Sequence, residues 1–250
     1  MIAADIIVGV AGLALGSFIF TTAIRLQSGD SLWQRSKCPL CGKPIGVVGL
    51  LPVLGYAVQR GKCRQCEGKI SVRYPLVEIV NGGVLYLVYL KTGWSSEFFR
   101  YFPIFEVLLL IAILDIETHL IFPRPVVVGL LIQTAWLFFL ERGEIVASLA
   151  GLCIGAGLFH WIAYLYRSVR NRTGLGEGDA TVLGLIGYAF GWEVLFPTVF
   201  WAALMGMAGG AVLLLLKRQS LQSEIAFAPW LVVSAFLVWF RPDIFSAFSF

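Results

Sequence analysis

Eight long apolar runs constrain this chain more than any other feature. They lie at roughly 4–24, 75–91, 98–114, 121–140, 145–166, 180–196, 197–216 and 225–240, and about 20 apolar residues suffice to cross a bilayer as a helix. With 58% of its 250 residues hydrophobic and 14% charged, the chain exceeds the roughly 45–50% apolar share of ordinary soluble domains. The expected fold is an all-α polytopic membrane protein with about eight transmembrane helices. The sixth and seventh runs are divided near Pro197, because residues 180–216 are almost unbroken and a single helix of that length would overreach a membrane. The first run carries Asp5 where a secretory signal peptide would carry basic residues, so it is expected to stay in the mature protein. Its Gly9, Gly12 and Gly16 are spaced for close approach of another helix.

Lysine and arginine placement sets the orientation. Eight spans put fifteen of the 19 basic residues on one side, leaving Lys91, Arg100, Arg142 and Arg241 on the other. The basic side is then cytoplasmic. Its loops set topology and attract anionic lipid weakly, and nothing in them points to nucleic acid. The organisation expected is a first helix at 1–24, a cytoplasmic insert at 25–74 and a seven-helix catalytic membrane domain at 75–250.

The insert carries two CxxC knuckles, Cys38-Pro39-Leu40-Cys41 and Cys63-Arg64-Gln65-Cys66. A CxxC turn lets two thiolates reach one metal, and two such turns complete a closed four-cysteine zinc site. Disulfides fit a cytoplasmic insert poorly, and a redox pair leaves the second copy unexplained. The reading is structural zinc held by Cys38, Cys41, Cys63 and Cys66. Between the knuckles, residues 45–56 are too apolar for a solvated loop; they either dip into the membrane interface or pack under the helices. Cys153, in an apolar run, reads as a small packing residue.

Acids near a membrane need an explanation, since an unpaired one costs several kcal/mol there. Asp115 ends the third run and Asp179 heads the sixth, and both fall at the cytoplasmic edge. Gly176 and Gly178 flank Asp179, clearing room for a substrate backbone and allowing a turn with positive φ. The loop before them, 167–178, is basic and then glycine-rich, and is expected to move so that a substrate helix can enter. Two carboxyls held close cannot both ionise; one takes a proton from water while the other, protonated, polarises a scissile carbonyl. The plainer account makes both aspartates helix-end charges, with Asp179 as an N-cap. Glu117 and His119 are rivals for a catalytic role, but no serine or cysteine nucleophile motif accompanies them. His160 reads as a hydrogen-bonded core residue, and Glu106 as paired with Arg100 or with a partner on a neighbouring helix. Glu78, early in the second span, reads as structural support, either paired with Arg73 or as a helix N-terminal charge.

Taken together, these residues resemble the bacterial type IV prepilin peptidases, a family of GxGD-type membrane aspartyl proteases. The features that carry the resemblance are Gly16-Ser17-Phe18, Arg35-Ser36-Lys37 ahead of the first knuckle, Arg60-Gly61-Lys62 ahead of the second, Arg73-Tyr74-Pro75-Leu76-Val77-Glu78, Asp115 and Gly176-Glu177-Gly178-Asp179. They run over nearly the whole chain in order. The resemblance implies Asp115 and Asp179 as the catalytic pair and zinc on the cytoplasmic cysteines. It also implies cleavage of type IV prepilins or pseudopilins after a glycine, followed by methylation of the new N-terminus with S-adenosylmethionine, in the bacterial cytoplasmic membrane. Here Phe122-Pro123-Arg124 replaces the family's Ile-Pro-Asp, Leu51 stands where asparagine is usual, and Glu177 takes an often apolar position. No glycine-rich dinucleotide fingerprint is present. Two other readings compete: a cleavage-inactive prepilin-binding assembly factor, and a proton-coupled transporter.

Overall fold

A computed structural model describes residues 2–170, 176–216 and 226–245. Residues 171–175 of the loop expected to move lie outside it, as do Arg172, Lys217 and Arg218 of the basic side. The chain divides into two compact units, Met1–Phe98 and Phe99–Phe250.

In the first unit, α1 (Ile2–Ser28) packs along α3 (Arg73–Thr92). The small residues make this possible. A Cβ added to Gly12 would lie 2.8 Å from Gly82 Cα, and one on Gly16 would lie 2.9 Å from Glu78 Cα. Gly9 meets nothing within 4 Å and takes no part in the crossing. Across the same seam the buried Asn81 donates from Nδ2 to the Gly12 carbonyl at 2.9 Å. A buried amide that finds its partner fixes the register of two apolar helices. Between these helices the insert holds two cysteine knuckles and the short α2 (Leu54–Val58).

The second unit is built from α4 (Ser96–Thr118, nearly all of it in this unit), α5 (Pro123–Phe139), α6 (Ile145–Arg170), α7 (Glu177–Phe190), α8 (Leu195–Leu215), α9 (Ala228–Phe240) and the single turn α10 (Pro242–Phe245). At its centre lies α7, buried on every side from Val182 to Ala189, as befits a helix that is apolar all round. Gly151 and Gly155 of α6 face Gly187 and Leu183 of α7 so closely that a Cβ on either would overlap backbone. Phe190 packs with Tyr101 and Phe105 of α4, and these in turn pack with Phe236 and Trp239 of α9, at ring separations of 5.1 to 5.5 Å. Aromatic rings in such stacked, tilted and edge-on contacts add to area burial. Trp230 lies over Gly206 and Gly209 of α8, so it is a packing residue of the α8–α9 pair.

Helices occupy all eight apolar runs, with corrections. The sixth run ends at Gly191, not near Pro197: Gly191 has φ 91°, and the turn Trp192–Val194 follows. A left-handed residue reverses the chain there at no steric cost only because it is glycine, whereas Pro197 sits in the first turn of α8, where its missing N–H is harmless. Arg100 pairs with Glu141 and with Glu144 at 2.9 Å, drawing the acidic 141–144 link onto α4. His160 is hydrogen-bonded to the Ala156 carbonyl at 3.0 Å, but it and Cys153 face outward, not into the core.

Among the described residues, three helical stretches, Ala3–Ser28, Arg142–Leu165 and Trp192–Leu215, are long and apolar enough to cross a membrane, and three shorter apolar helices accompany them. Large aliphatic and aromatic side chains such as Ile6, Val10, Leu131, Trp161 and Phe196 point outward along these helices. Apolar faces of this extent belong in a bilayer, which makes this a membrane protein.

Candidate active site

Two sites form, one in each unit. In the second unit, Asp115 lies at the end of α4, in a stretch buried continuously from Ile111 and itself 5% exposed. Its Oδ2 accepts a hydrogen bond from the Ala228 N–H at the start of α9, at 3.0 Å across 113 residues of sequence. A carboxylate there meets an N–H that no intrahelical carbonyl can satisfy, together with the positive end of the helix. His119 ends α4 one turn later with φ 53°, its N–H donating to the Asp115 carbonyl at 2.8 Å.

Asp179 approaches from α7. The N-cap of α7 is Gly176, and Asp179 is the third helical residue, so it does not cap the helix. Gly176 has φ −66°, and Gly178 lies within the helix. Neither glycine is there for a left-handed turn; both are there for space. A Cβ on Gly176 would lie 2.9 Å from Asp179 Oδ2, and one on Gly178 would lie 2.7 Å from Ile121 Cβ. The structure brings the two aspartates together: the charge of Asp115 acts on Asp179, and that of His119 acts on Asp115. Carboxyls from helix ends 64 positions apart in sequence thus come within electrostatic reach of each other, with the Ala228 N–H fixing one of them. Such a pair can hold one proton between its members and present a base and an acid to the same substrate.

In the first unit the four cysteine Sγ atoms all lie within 4.8 Å of one another, and Cys38 Sγ is 3.9 Å from Cys66 Sγ. A tetrahedral zinc with Zn–S bonds of about 2.3 Å would separate its sulfurs by about 3.8 Å, so the residues fit the metal. The two knuckles repeat one backbone pattern. Cys38 N–H donates to the Lys43 carbonyl and Cys63 N–H to that of Gly68, both at 2.9 Å, and one residue pairing closes each, Lys37 with Pro44 and Lys62 with Lys69. The N–H groups of Gln65 and Cys66 bring the Cys63 thiol down to about 7. At Cys66 the Gly68 N–H opposes, but burial and the neighbouring thiols prevail and push it up to about 11. Thiols spread this far cannot all ionise at neutral pH without a cation among them.

One of the positions at which the knuckles differ is strained in the second. The residue four after the first cysteine is left-handed in both, Gly42 with φ 70° in one and Glu67 with φ 55° in the other. A side chain in that region costs about 1 kcal/mol or more. Glu67→Gly should therefore stabilise the insert by about 1 kcal/mol, read as a higher denaturant midpoint for loss of bound metal; an unchanged or lower midpoint would refute this.

Of the other residues singled out in the sequence, Glu78 and Arg73 belong to the first unit and the aspartates to the second. Arg73 opens α3, exposed, and Glu78 is buried in the second turn, where its Oε2 accepts from the Val53 N–H at 2.6 Å. The Ala228 contact to Asp115 and the close seat of Ile121 under Gly178 were not foreseen. The only sequence signal for the first is Pro229, which marks a helix start without saying what the helix faces.

Comparison with known proteins follows the same division. A model of the bacterial peptidase A24 N-terminal domain matches residues 10–92, which include the four cysteines, and one of the type IV leader peptidase family matches 103–211, which include both aspartates. A prepilin leader peptidase/N-methyltransferase of Bacillus subtilis is 29% identical over 95% of this chain and 94% of its own. The protein of that name from Pseudomonas putida is 28% identical over 91% and 87%, and that from Dickeya chrysanthemi 30% identical over 82% and 72%. No solved structure matches the chain.

Proposed function

The chain belongs to the type IV leader peptidase family, and from that premise we propose that Asp115 and Asp179 are its catalytic pair. The activity is that of the family: cleavage of a prepilin leader and N-methylation of the residue this exposes. One observation carries the residue assignment, the placement of the two carboxyls at the ends of α4 and α7 within electrostatic reach of each other. The ionised carboxyl takes a proton from water as its oxygen attacks the carbonyl of the residue before the scissile bond. The protonated carboxyl gives its proton to that carbonyl oxygen; collapse of the tetrahedral adduct breaks the C–N bond, and the departing amine takes up a proton. Leader and mature N-terminus leave as an acid and an amine, and the amine is the group methylated, with S-adenosylmethionine as second substrate.

Zinc on Cys38, Cys41, Cys63 and Cys66 completes the proposal. Bound there, it neutralises thiolate charge and ties the knuckles together; a closed four-sulfur set leaves no position for substrate. Fifteen of 19 basic residues on one side support an active site at the cytoplasmic face of the bacterial cytoplasmic membrane. Pilus prepilins or pseudopilins, with basic leaders and apolar helices, are the substrates that suit such a face.

The test is purified protein in detergent with a peptide carrying a basic leader, a Gly-Phe junction and an apolar helix. Cleavage at the junction, and a mass gain of one methyl on the new N-terminus when S-adenosylmethionine is added, are the expected results. Binding without cleavage would instead favour an assembly factor. The glycine geometry adds a second expectation. Gly178→Ala, which drives a methyl into Ile121 and shifts Asp179, should lower kcat roughly tenfold to a hundredfold. Adding Ile121→Ala should recover most of that loss; no recovery would mean the contact is not what places Asp179.

A further inference from the structure

Apolar side chains collect on the outside of the insert at residues 47–58. The segment folds as the turn Val47–Leu50 running into α2, with Gly55 so close beneath it that a Cβ there would lie 2.7 Å from the Val48 carbonyl oxygen. This fold turns Val47, Leu50, Leu51, Leu54 and Val58 outward, at 80%, 49%, 47%, 62% and 60% exposure. Five large aliphatic residues on one short surface are more than water tolerates without a function.

The depth of the segment follows from one hydrogen bond. Val53 N–H donates to Glu78 Oε2 at 2.6 Å, and Glu78 is 5% exposed in the second turn of α3. Helical side chains lean back toward the N-terminus of their helix, so Val53 is held within about one 5 Å turn of where α3 begins. Val53 itself has φ 59°. A β-branched residue stays in that region only when its surroundings over-determine it, and here they include the buried carboxylate. On either side of the apolar surface basic residues predominate. From 35 to 70 there are seven basic residues, Arg35, Lys37, Lys43, Arg60, Lys62, Arg64 and Lys69, all exposed, and a single acid, Glu67.

We propose that residues 47–58 anchor the insert in the membrane interface. Their aliphatic side chains enter the boundary between headgroups and acyl chains beside α3, and the flanking cations meet anionic phospholipid headgroups. An apolar face at that depth framed by lysine and arginine is what interfacial binding uses. The proposal rests on α3 crossing the membrane with its Arg73 end at the cytoplasmic surface. It does not depend on the catalytic assignment.

The test uses the full chain in nanodiscs containing phosphatidylglycerol. A nitroxide is placed on p-acetylphenylalanine, which leaves the cysteines unlabelled, at Leu50, Leu54 or Arg64 in turn. Collision with oxygen, concentrated in the bilayer, is compared with collision with a water-soluble nickel chelate. Oxygen should dominate at 50 and 54 and the nickel chelate at 64, with the oxygen preference at 54 shrinking when the discs hold only neutral lipid. Dominance of the nickel chelate at 50 and 54 would put the segment in water; protection from both reagents would put it under protein. Either result overturns the anchor, and an unchanged ratio in neutral discs overturns the part given to the cations. Retained metal and an unchanged melting temperature control for folding. Peptide cleavage in the same discs reports on the proposed function separately.

Discussion

Asp115→Asn and Asp179→Asn should each lower the rate of peptide cleavage by roughly a thousandfold or more, without lowering thermal stability by a comparable measure. Asparagine has the shape of aspartate, and its Oδ1 can still accept the Ala228 N–H that Asp115 holds at 3.0 Å, so the α4–α9 contact survives. What is lost is the ionisable group. Proton transfer by a positioned side chain contributes typically 10²–10⁴-fold, and two groups that share one proton act as a unit. The double variant should therefore be little slower than either single one, because the second removal takes away a partner that no longer functions. A single variant that cuts at the parental rate would sink the dyad. Additive losses, each factor multiplying the other, would show two independent roles instead of one shared proton. Substrate binding should change far less than turnover in both variants, since neither carboxyl is asked to hold the apolar helix of the substrate.

Loss of metal is the second large effect. Purified protein should carry one zinc, and Cys38→Ser should carry none at neutral pH; chelation of the parent should give the same state. Cys38 is the most buried of the four cysteines, with its Sγ 3.9 Å from that of Cys66, so a hydroxyl there replaces the ligand least able to be substituted from solvent. Metal binding in such sites contributes directly to folding. Residues 35–70 should become open to protease, while the α1–α3 seam, made by Gly12, Gly16 and Asn81, stays protected. The pH dependence has a definite sign. Cys66 at about 11 still holds its proton at neutral pH in the absence of metal, so zinc must displace that proton, and affinity should rise as pH climbs from 7 towards 11. Below about 7 the Cys63 thiol is protonated as well, a further proton is displaced, and affinity should fall more steeply. Proton release on zinc binding, measured calorimetrically in buffers of different ionisation enthalpy, checks both. A pH-independent affinity, or full metal content in Cys38→Ser, would remove the four-thiolate assignment.

The parts legible in the sequence are those governed by local pattern. A CxxC turn places its own two sulfurs, and two copies needed only to meet. Apolar runs make helices wherever the chain cannot leave its backbone groups unpaired in lipid. Asp115 and Asp179 stood out because a carboxyl at the edge of an apolar run is costly and therefore conspicuous. A local signal with two uses leaves the structure undecided. The glycines of the 176–179 stretch offer both cleared side-chain room and freedom of φ, and only the room is used: Gly176 is at −66°, and a Cβ on either glycine would press on Asp179 or Ile121. Pro197 looked like the helix break, and Gly191 made it instead, since proline is as much at home in a first turn as at a boundary.

Composition, spacing and hydropathy by themselves determined a helical membrane protein, its four-cysteine cluster and the two acids most in need of a role. The tertiary structure alone decided that Ala228 holds Asp115, that Ile121 sits under Gly178, that Glu78 holds Val53 and that Arg100 answers Glu141 and Glu144. Each of these joins a side chain or N–H group to a partner on another element, up to 113 residues away. A residue's own neighbours set its helix and its burial, but the atom that meets it there depends on how whole helices pack, and that is a property of the complete chain.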